Sequence, residues 1–72
     1  MIMTNPSKSV TVNGRAIEVP AGFCIDDLIA FMSVKGRYAV EIGGEIIPRG
    51  EHGDRLISEG DAVEIVSAIG GG

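Results

Sequence analysis

Apolar residues recur in two different periods along this chain, and the switches between them mark out its elements. Val10 and Val12 alternate with polar residues, Asn13-Gly14 interrupts, and Ile17 and Val19 alternate beyond. Alternation is the mark of a strand with one face buried, and Asn-Gly tolerates the positive φ of a type I′ turn, so the stretch predicts a β-hairpin. Pro20-Ala21-Gly22 ends the second strand. The period then lengthens: Ile25, Leu28, Ile29 and Met32 fall at i, i+3, i+4 and i+7, one face of a helix. Asp26 and Asp27 occupy its first turn, where the helix dipole favours negative charge. Cys24 stands where a Ser or Thr cap is expected and is a weaker acceptor. Gly36 suits the left-handed residue that closes a helix. Met32 is assigned to the core with its apolar neighbours.

Alternation returns at Tyr38, Val40 and Ile42, and Gly43-Gly44 turns the chain into a short strand, Glu45 to Ile47, stopped by Pro48. Arg49 to Ser58 has no period and is read as a connector, with Leu56 and Ile57 packing beneath it. Gly60-Asp61 turns into a last strand, Ala62 to Ser67, with Val63 and Ile65 on one face. The order is strand, strand, helix, strand, short strand, strand. It predicts an α+β fold: a mixed sheet of four to five strands packed on one helix, so that each buries the other's apolar face. Residues 1–8 are read as a loose extension, residues 9–67 as the domain and residues 68–72 as a flexible tail.

Composition narrows what such a domain can do. Its 72 residues make one small domain with 44% hydrophobic content, which is ordinary for a globular chain. There is no room for an enclosed catalytic cleft, so any chemistry is shared with a larger protein. The net charge is −4, with only six Lys and Arg scattered along the sequence. Nucleic acid binding needs clustered cations; a basic docking surface on a protein partner is the better electrostatic match. The single cysteine, Cys24, excludes an internal disulfide and a multi-cysteine metal site. No apolar run approaches bilayer length, and the first residues lack the pattern of a secretory signal. A cytoplasmic protein with no membrane or nucleic acid partner is expected.

The chain as given finishes on Ile69-Gly70-Gly71-Gly72, three glycines hung off an apolar strand. Glycine has the most backbone entropy to lose and no side chain to pack, so folding does not explain the run. A glycine end without Cβ atoms can thread a narrow channel and present an unhindered carboxylate. Fully extended, Ser67 to Gly72 reaches roughly 20 Å. The alternative is a plain disordered end.

The element order with a glycine-terminated last strand resembles the β-grasp, or ubiquitin-like, fold. Ala39-Val40-Glu41-Ile42-Gly43-Gly44-Glu45-Ile46-Ile47-Pro48-Arg49 is similar to the V-x-x-N-G-x-x-V-P-R segment of the ThiS family, the sulfur carriers of thiamine biosynthesis. Gly60-Asp61-Ala62-Val63-Glu64-Ile65-Val66 is similar to that family's G-D-x-V-E-I strand, and Gly71-Gly72 to its terminal glycine pair. The resemblance covers roughly residues 10–72. Gly70 adds a third glycine, Gly50-Glu51-His52-Gly53 replaces a segment that often carries Ser and an aromatic, and the first eight residues have no counterpart.

The resemblance implies a protein cosubstrate and no catalytic residue of its own. An adenylating enzyme of the ubiquitin-activating kind would use ATP to attach AMP to the carboxylate of Gly72. Sulfur from a cysteine-derived persulfide would then convert it to a thiocarboxylate, delivered to thiazole synthase. Gly70 and Gly71 would thread the partner's active site. The chain has no Gly-x-x-x-x-Gly-Lys-Ser/Thr phosphate loop, so ATP belongs to the partner and no bound cofactor is expected. Two other readings use the same tail: the small sulfur-carrying subunit of molybdopterin synthesis, which tends to place prolines before its glycines where this chain has Val66-Ser67-Ala68-Ile69, and a ubiquitin-like modifier. A plain interaction module with an idle tail is the fourth.

Other residues attract functional readings that the sequence does not favour. Cys24 has no adjacent Lys, Arg or His to activate a thiolate and reads as a small apolar residue. His52 has no second metal-type ligand at a suitable spacing and is expected to be a solvated loop histidine. Glu41, Glu45 and Glu51 read as strand-edge charges and not as a catalytic pair. Arg49 reads as a surface arginine or a partner contact.

Overall fold

A computed structural model describes residues 6–67 of the chain. Strands β1 (Ser7–Val12) and β2 (Arg15–Pro20) form the hairpin anticipated from Asn13-Gly14. Both turn residues take positive φ, 52° and 82°, as a type I′ turn requires. Helix α1 (Ile25–Phe31) follows, then β3 (Tyr38–Ile42), β4 (Glu45–Ile47), a 3-10 turn at Arg49–Glu51 and β5 (Ala62–Ser67). The sheet has five strands in the order β2-β1-β5-β3-β4. β1 and β5 run parallel in the centre, and every other neighbouring pair is antiparallel. This is the mixed sheet with one helix that the β-grasp resemblance implied.

The core lies between α1 and one face of the sheet. Val10, Val12, Val19, Val40, Ile42 and Val63 face Ile25, Leu28 and Ile29 of the helix, with Ile57 closing one side. Ile25, Leu28, Val40 and Val63 have no exposed surface. Burying one such side chain contributes about 1.5–3 kcal/mol, so this single layer contact dominates the stability of so small a domain.

Four expectations are corrected by the packing. The helix stops at Phe31, one residue short of the end of its apolar period, and Met32 is 38% exposed, not core. Ser33, not Gly36, closes the helix: it takes φ 57°, its N–H donates to the Ala30 carbonyl (3.1 Å), and the Val34 N–H donates to Ile29 (3.2 Å). That is the Schellman arrangement, and the half-buried Val34 packs against the core beneath it. Leu56 points outward, 55% exposed, while its neighbour Ile57 is buried. Ser7 and Lys8 belong to β1, so the domain begins before the extension was expected to end.

Candidate functional site

The last strand is the element that leads to the tail, and its flanks differ along its length. On one side β5 pairs with β3 over five residues, from Ile42 opposite Val63 to Tyr38 opposite Ser67. On the other it pairs with β1 only at Thr11–Ala62 and Val12–Val63. Below that overlap the chain is tied to β1 by the Thr11 N–H to the Asp61 carbonyl (3.0 Å) and the Gly60 N–H to the Ser9 carbonyl (2.8 Å). The Glu59 carboxylate also accepts from the Ser9 N–H (3.0 Å).

Above the overlap, Asn13 replaces the missing strand. Its N–H donates to the Val63 carbonyl (2.8 Å), and its side-chain Oδ1 accepts from the Ile65 N–H (2.7 Å). The same left-handed backbone that makes Asn13 a turn residue aims its side chain at β5. The base of the tail is thereby fixed two residues before Ser67. Asn13 was legible as a turn but not as a clamp, because its partner lies 52 residues away.

The residues expected to carry the chemistry, Gly70, Gly71 and Gly72, lie outside the described residues, as does the whole tail, residues 68–72. Thr4 and Asn5 of the N-terminal extension lie outside them too.

Cys24 sits at the N-cap of α1, half-buried. Its N–H and its thiol both donate to the Asp27 carboxylate, at 3.0 and 3.3 Å. Asp27 supplies the carboxylate half of a capping box, and the bond from the Cys24 backbone, then that from its thiol, hold the Asp27 carboxyl below its ordinary value of 3.8. Cys24 is thus a structural cap.

His52 overturns its expectation outright. It is 2% exposed, follows the 3-10 turn, and donates from Nε2 to the Ile47 carbonyl (2.9 Å). A carbonyl only accepts, so Nε2 carries a proton, while Nδ1 is buried without a partner among the described residues. Its ring stacks on Tyr38 (centroids 6.0 Å apart, 23° between planes), and the Arg49 guanidinium lies 4.7 Å from the Tyr38 ring centroid. His52, Tyr38 and Arg49 form a small pillar that ties the connector to β3 and β4. No sequence period marks it, since the contacts cross three elements.

Glu41 and Glu64 stand directly opposite each other on the outward face of β3 and β5, and Ile46 of β4 stands opposite Glu41. Val66, opposite Ala39 one row closer to the tail, is 60% exposed, and Ile46 is 70% exposed. Glu45, at the end of β4, and Glu51, in the 3-10 turn, are separately placed on the surface. The described residues contain no cluster of three or more His, Cys, Asp or Glu able to hold a metal, and none of their helices is long and apolar enough to cross a membrane.

A five-stranded mixed sheet packed on one helix, with the first and last strands parallel at its centre, is the β-grasp arrangement. Residues 7–72 match the ThiS family, so the chain belongs to that family, the sulfur carriers of thiamine biosynthesis. The crystal structure of a thiamine biosynthesis protein (ThiS) from Geobacter metallireducens superposes with a TM-score of 0.73 at 29% identity, covering 89% of this chain and 99% of that one. A thiazole synthase from Paramagnetospirillum magneticum is 33% identical over 64 residues, 88% of this chain but 20% of that protein. This chain therefore spans about a fifth of that relative's length.

Proposed function

We propose that this protein carries sulfur as a thiocarboxylate on Gly72 for formation of the thiazole ring, and that it is a cosubstrate of two enzymes. A carboxylate resists nucleophiles because of its charge and because oxide is a poor leaving group. In the proposed cycle an adenylating enzyme joins the Gly72 carboxylate to AMP from ATP, releasing pyrophosphate. A persulfide sulfur attacks the acyl carbon and AMP departs. A second thiol then cleaves the S–S bond, leaving the thiocarboxylate and a disulfide. Thiazole synthase receives the sulfur, and the carboxylate returns for another round. Gly70 and Gly71 keep the approach free of Cβ atoms, so the acyl carbon can reach a buried nucleotide.

The observation that carries this reading is the family match running through Gly72. Sequence likeness to a segment of a protein called thiazole synthase supports the second partner. The fixed base of the tail supports the first, because a chain clamped at Ile65 by Asn13 leaves only the last residues to be captured.

The test is intact mass measurement after incubation with ATP, the adenylating enzyme of the same organism and a cysteine-derived persulfide donor. The protein should gain the mass difference between sulfur and oxygen, and a variant lacking Gly71 and Gly72 should gain nothing. Adducts on lysines of other proteins, or no change in mass, would overturn the proposal.

A further inference from the structure

Asn13 serves the fold twice, as the first residue of a tight turn and as the acceptor that holds the Ile65 N–H at 2.7 Å. The next residue is Gly14, and both are exposed. This pair of residues has a chemistry of its own. The backbone nitrogen that follows an asparagine can attack the side-chain Cγ and close a five-membered imide. Attack is easiest when the following residue has no side chain to hinder it, and glycine has none. A Cβ placed on Gly14 would meet nothing within 4 Å, so no neighbour packs over that side of the residue. Among the described residues no backbone acceptor engages the Gly14 N–H.

Conformation is what restrains the reaction. Ring closure needs the Gly14 nitrogen to eclipse Cβ about the Cα–C bond of Asn13. A type I′ turn, the mirror image of type I, sets ψ of its first central residue at roughly +30°, which carries that nitrogen to the far side of the bond. The left-handed φ values of 52° and 82° at Asn13 and Gly14 are those of such a turn. Both ends of Asn13 are also tied to β5: its N–H donates to the Val63 carbonyl (2.8 Å) and its Oδ1 accepts from Ile65. Nucleophile and electrophile are adjacent in the chain, yet the strand that leads to the tail keeps them apart.

We propose that Asn13-Gly14 is a latent modification site gated by β5, which converts to aspartate and isoaspartate only when β5 releases Asn13. The Gly14 nitrogen gives its proton to water or hydroxide and bonds to Cγ. The Cγ–Nδ2 bond breaks, and Nδ2 departs as ammonia. Water then opens the imide at either carbonyl. Opening at Cγ leaves aspartate on an ordinary backbone, whereas opening at the backbone carbonyl leaves the chain running through Cβ and Cγ. One water is consumed and one ammonia released, with no oxidant, nucleotide or partner required. The aspartate product keeps an oxygen where the Ile65 N–H needs it. In the isoaspartate product Cγ joins the main chain, the two-residue turn between Val12 and Arg15 lengthens, and the clamp is lost. The modification therefore unties β5 two residues before Ser67.

The test incubates the full chain at mildly alkaline pH, with and without guanidinium chloride, and follows residue 13 by peptide mapping that separates the two isomers. Unfolded protein should convert about 10-fold faster than native protein or more, since the native rate follows the fraction of molecules in which the clamp is open. Leu28→Ala, which weakens the sheet and leaves the turn unchanged, should convert faster than wild type in plain buffer, or at the unfolded rate if it does not fold. In the recovered isoaspartate form, hydrogen exchange at the Ile65 amide should be about 10-fold faster than in wild type, whereas Asn13→Asp should protect that amide as wild type does. Equal conversion in native and unfolded protein would overturn the gating. An Asn13 that survives intact in the unfolded chain would remove the site itself. An isoaspartate form with wild-type protection at Ile65 would sever the site from β5.

Discussion

The helix side and the outward side of the same five strands obey opposite rules. On the helix side every position near the centre is branched and apolar, and Val40 and Val63 lie fully buried, as does Leu28 of the helix. On the outward side, the residues next along those strands are Glu41 and Glu64, placed against each other. Strand alternation makes this juxtaposition possible, since a one-residue step moves a side chain from one environment to the other. The inner face is selected by folding, and its residues could be foreseen from hydrophobicity alone. The outer face contains a local conflict that folding would remove, and such conflicts concentrate where proteins meet partners.

The contrast breaks most visibly at Leu28. Leu28→Ala deletes fully buried atoms at the helix–sheet contact and should cost about 2–5 kcal/mol, a large part of the stability of a domain this size. Thermal unfolding followed by circular dichroism should show a melting temperature lower by ten degrees or more, roughly. Val66→Ser on the outer face should change stability by less than about 0.5 kcal/mol. Comparable losses at both positions would show that the outer face is also part of the folding core.

His52 extends the comparison to the connector. His52→Ala removes a buried ring and leaves the Ile47 carbonyl without its donor, and should cost about 2–3 kcal/mol in chemical denaturation. A solvated histidine would cost almost nothing, so this one measurement separates the two pictures of the loop.

Asn13 lies at the edge between core and tail. Asn13→Ala loses the bond to the Ile65 N–H and places a residue with no αL preference at φ 52°. A loss of about 1–2 kcal/mol is expected, together with faster hydrogen exchange at Ile65 than at Val63. Equal exchange at the two amides would show that β5 needs no clamp.

How much of this was legible in the residues depends on contact range. The hairpin, the helix start and the sequence of elements along the chain follow from local periods and turn chemistry, and were read from Asn13-Gly14, Asp26-Asp27 and Gly43-Gly44; the order of strands in the sheet was not. The helix end was misplaced because Met32 fits the apolar period, while a serine, a residue with no special liking for positive φ, takes the closing position at Ser33. His52 was misread because burial of the connector comes from β4 and Tyr38, which no local pattern reports. The candidate site divides the same way. The glycines and the family segments around Glu41 and Asp61 are sequence signals; the Asn13 clamp and the opposed glutamates exist only once strands are paired.

The smallest effect tests the part of the helix side nearest to solvent. Asp27 accepts from the Cys24 N–H and thiol, and these bonds lower its pKa in the folded state relative to the unfolded chain. A group with a depressed folded pKa contributes stability above its unfolded pKa and loses it as pH falls through the folded one. The contribution is therefore complete well above the ordinary aspartate value of about 4 and is lost progressively as pH falls from there through the lower folded value. Asp27→Asn keeps the size of the cap but removes its charge. The variant should be less stable than wild type at pH 7, and the gap should hold level down to about pH 5 and then narrow as pH is lowered to 3. Melting temperatures across that range, taken in moderate salt, measure it directly. A gap that is constant with pH would mean that the carboxylate form of Asp27 is not what holds the start of the helix, and that the cap works through shape alone.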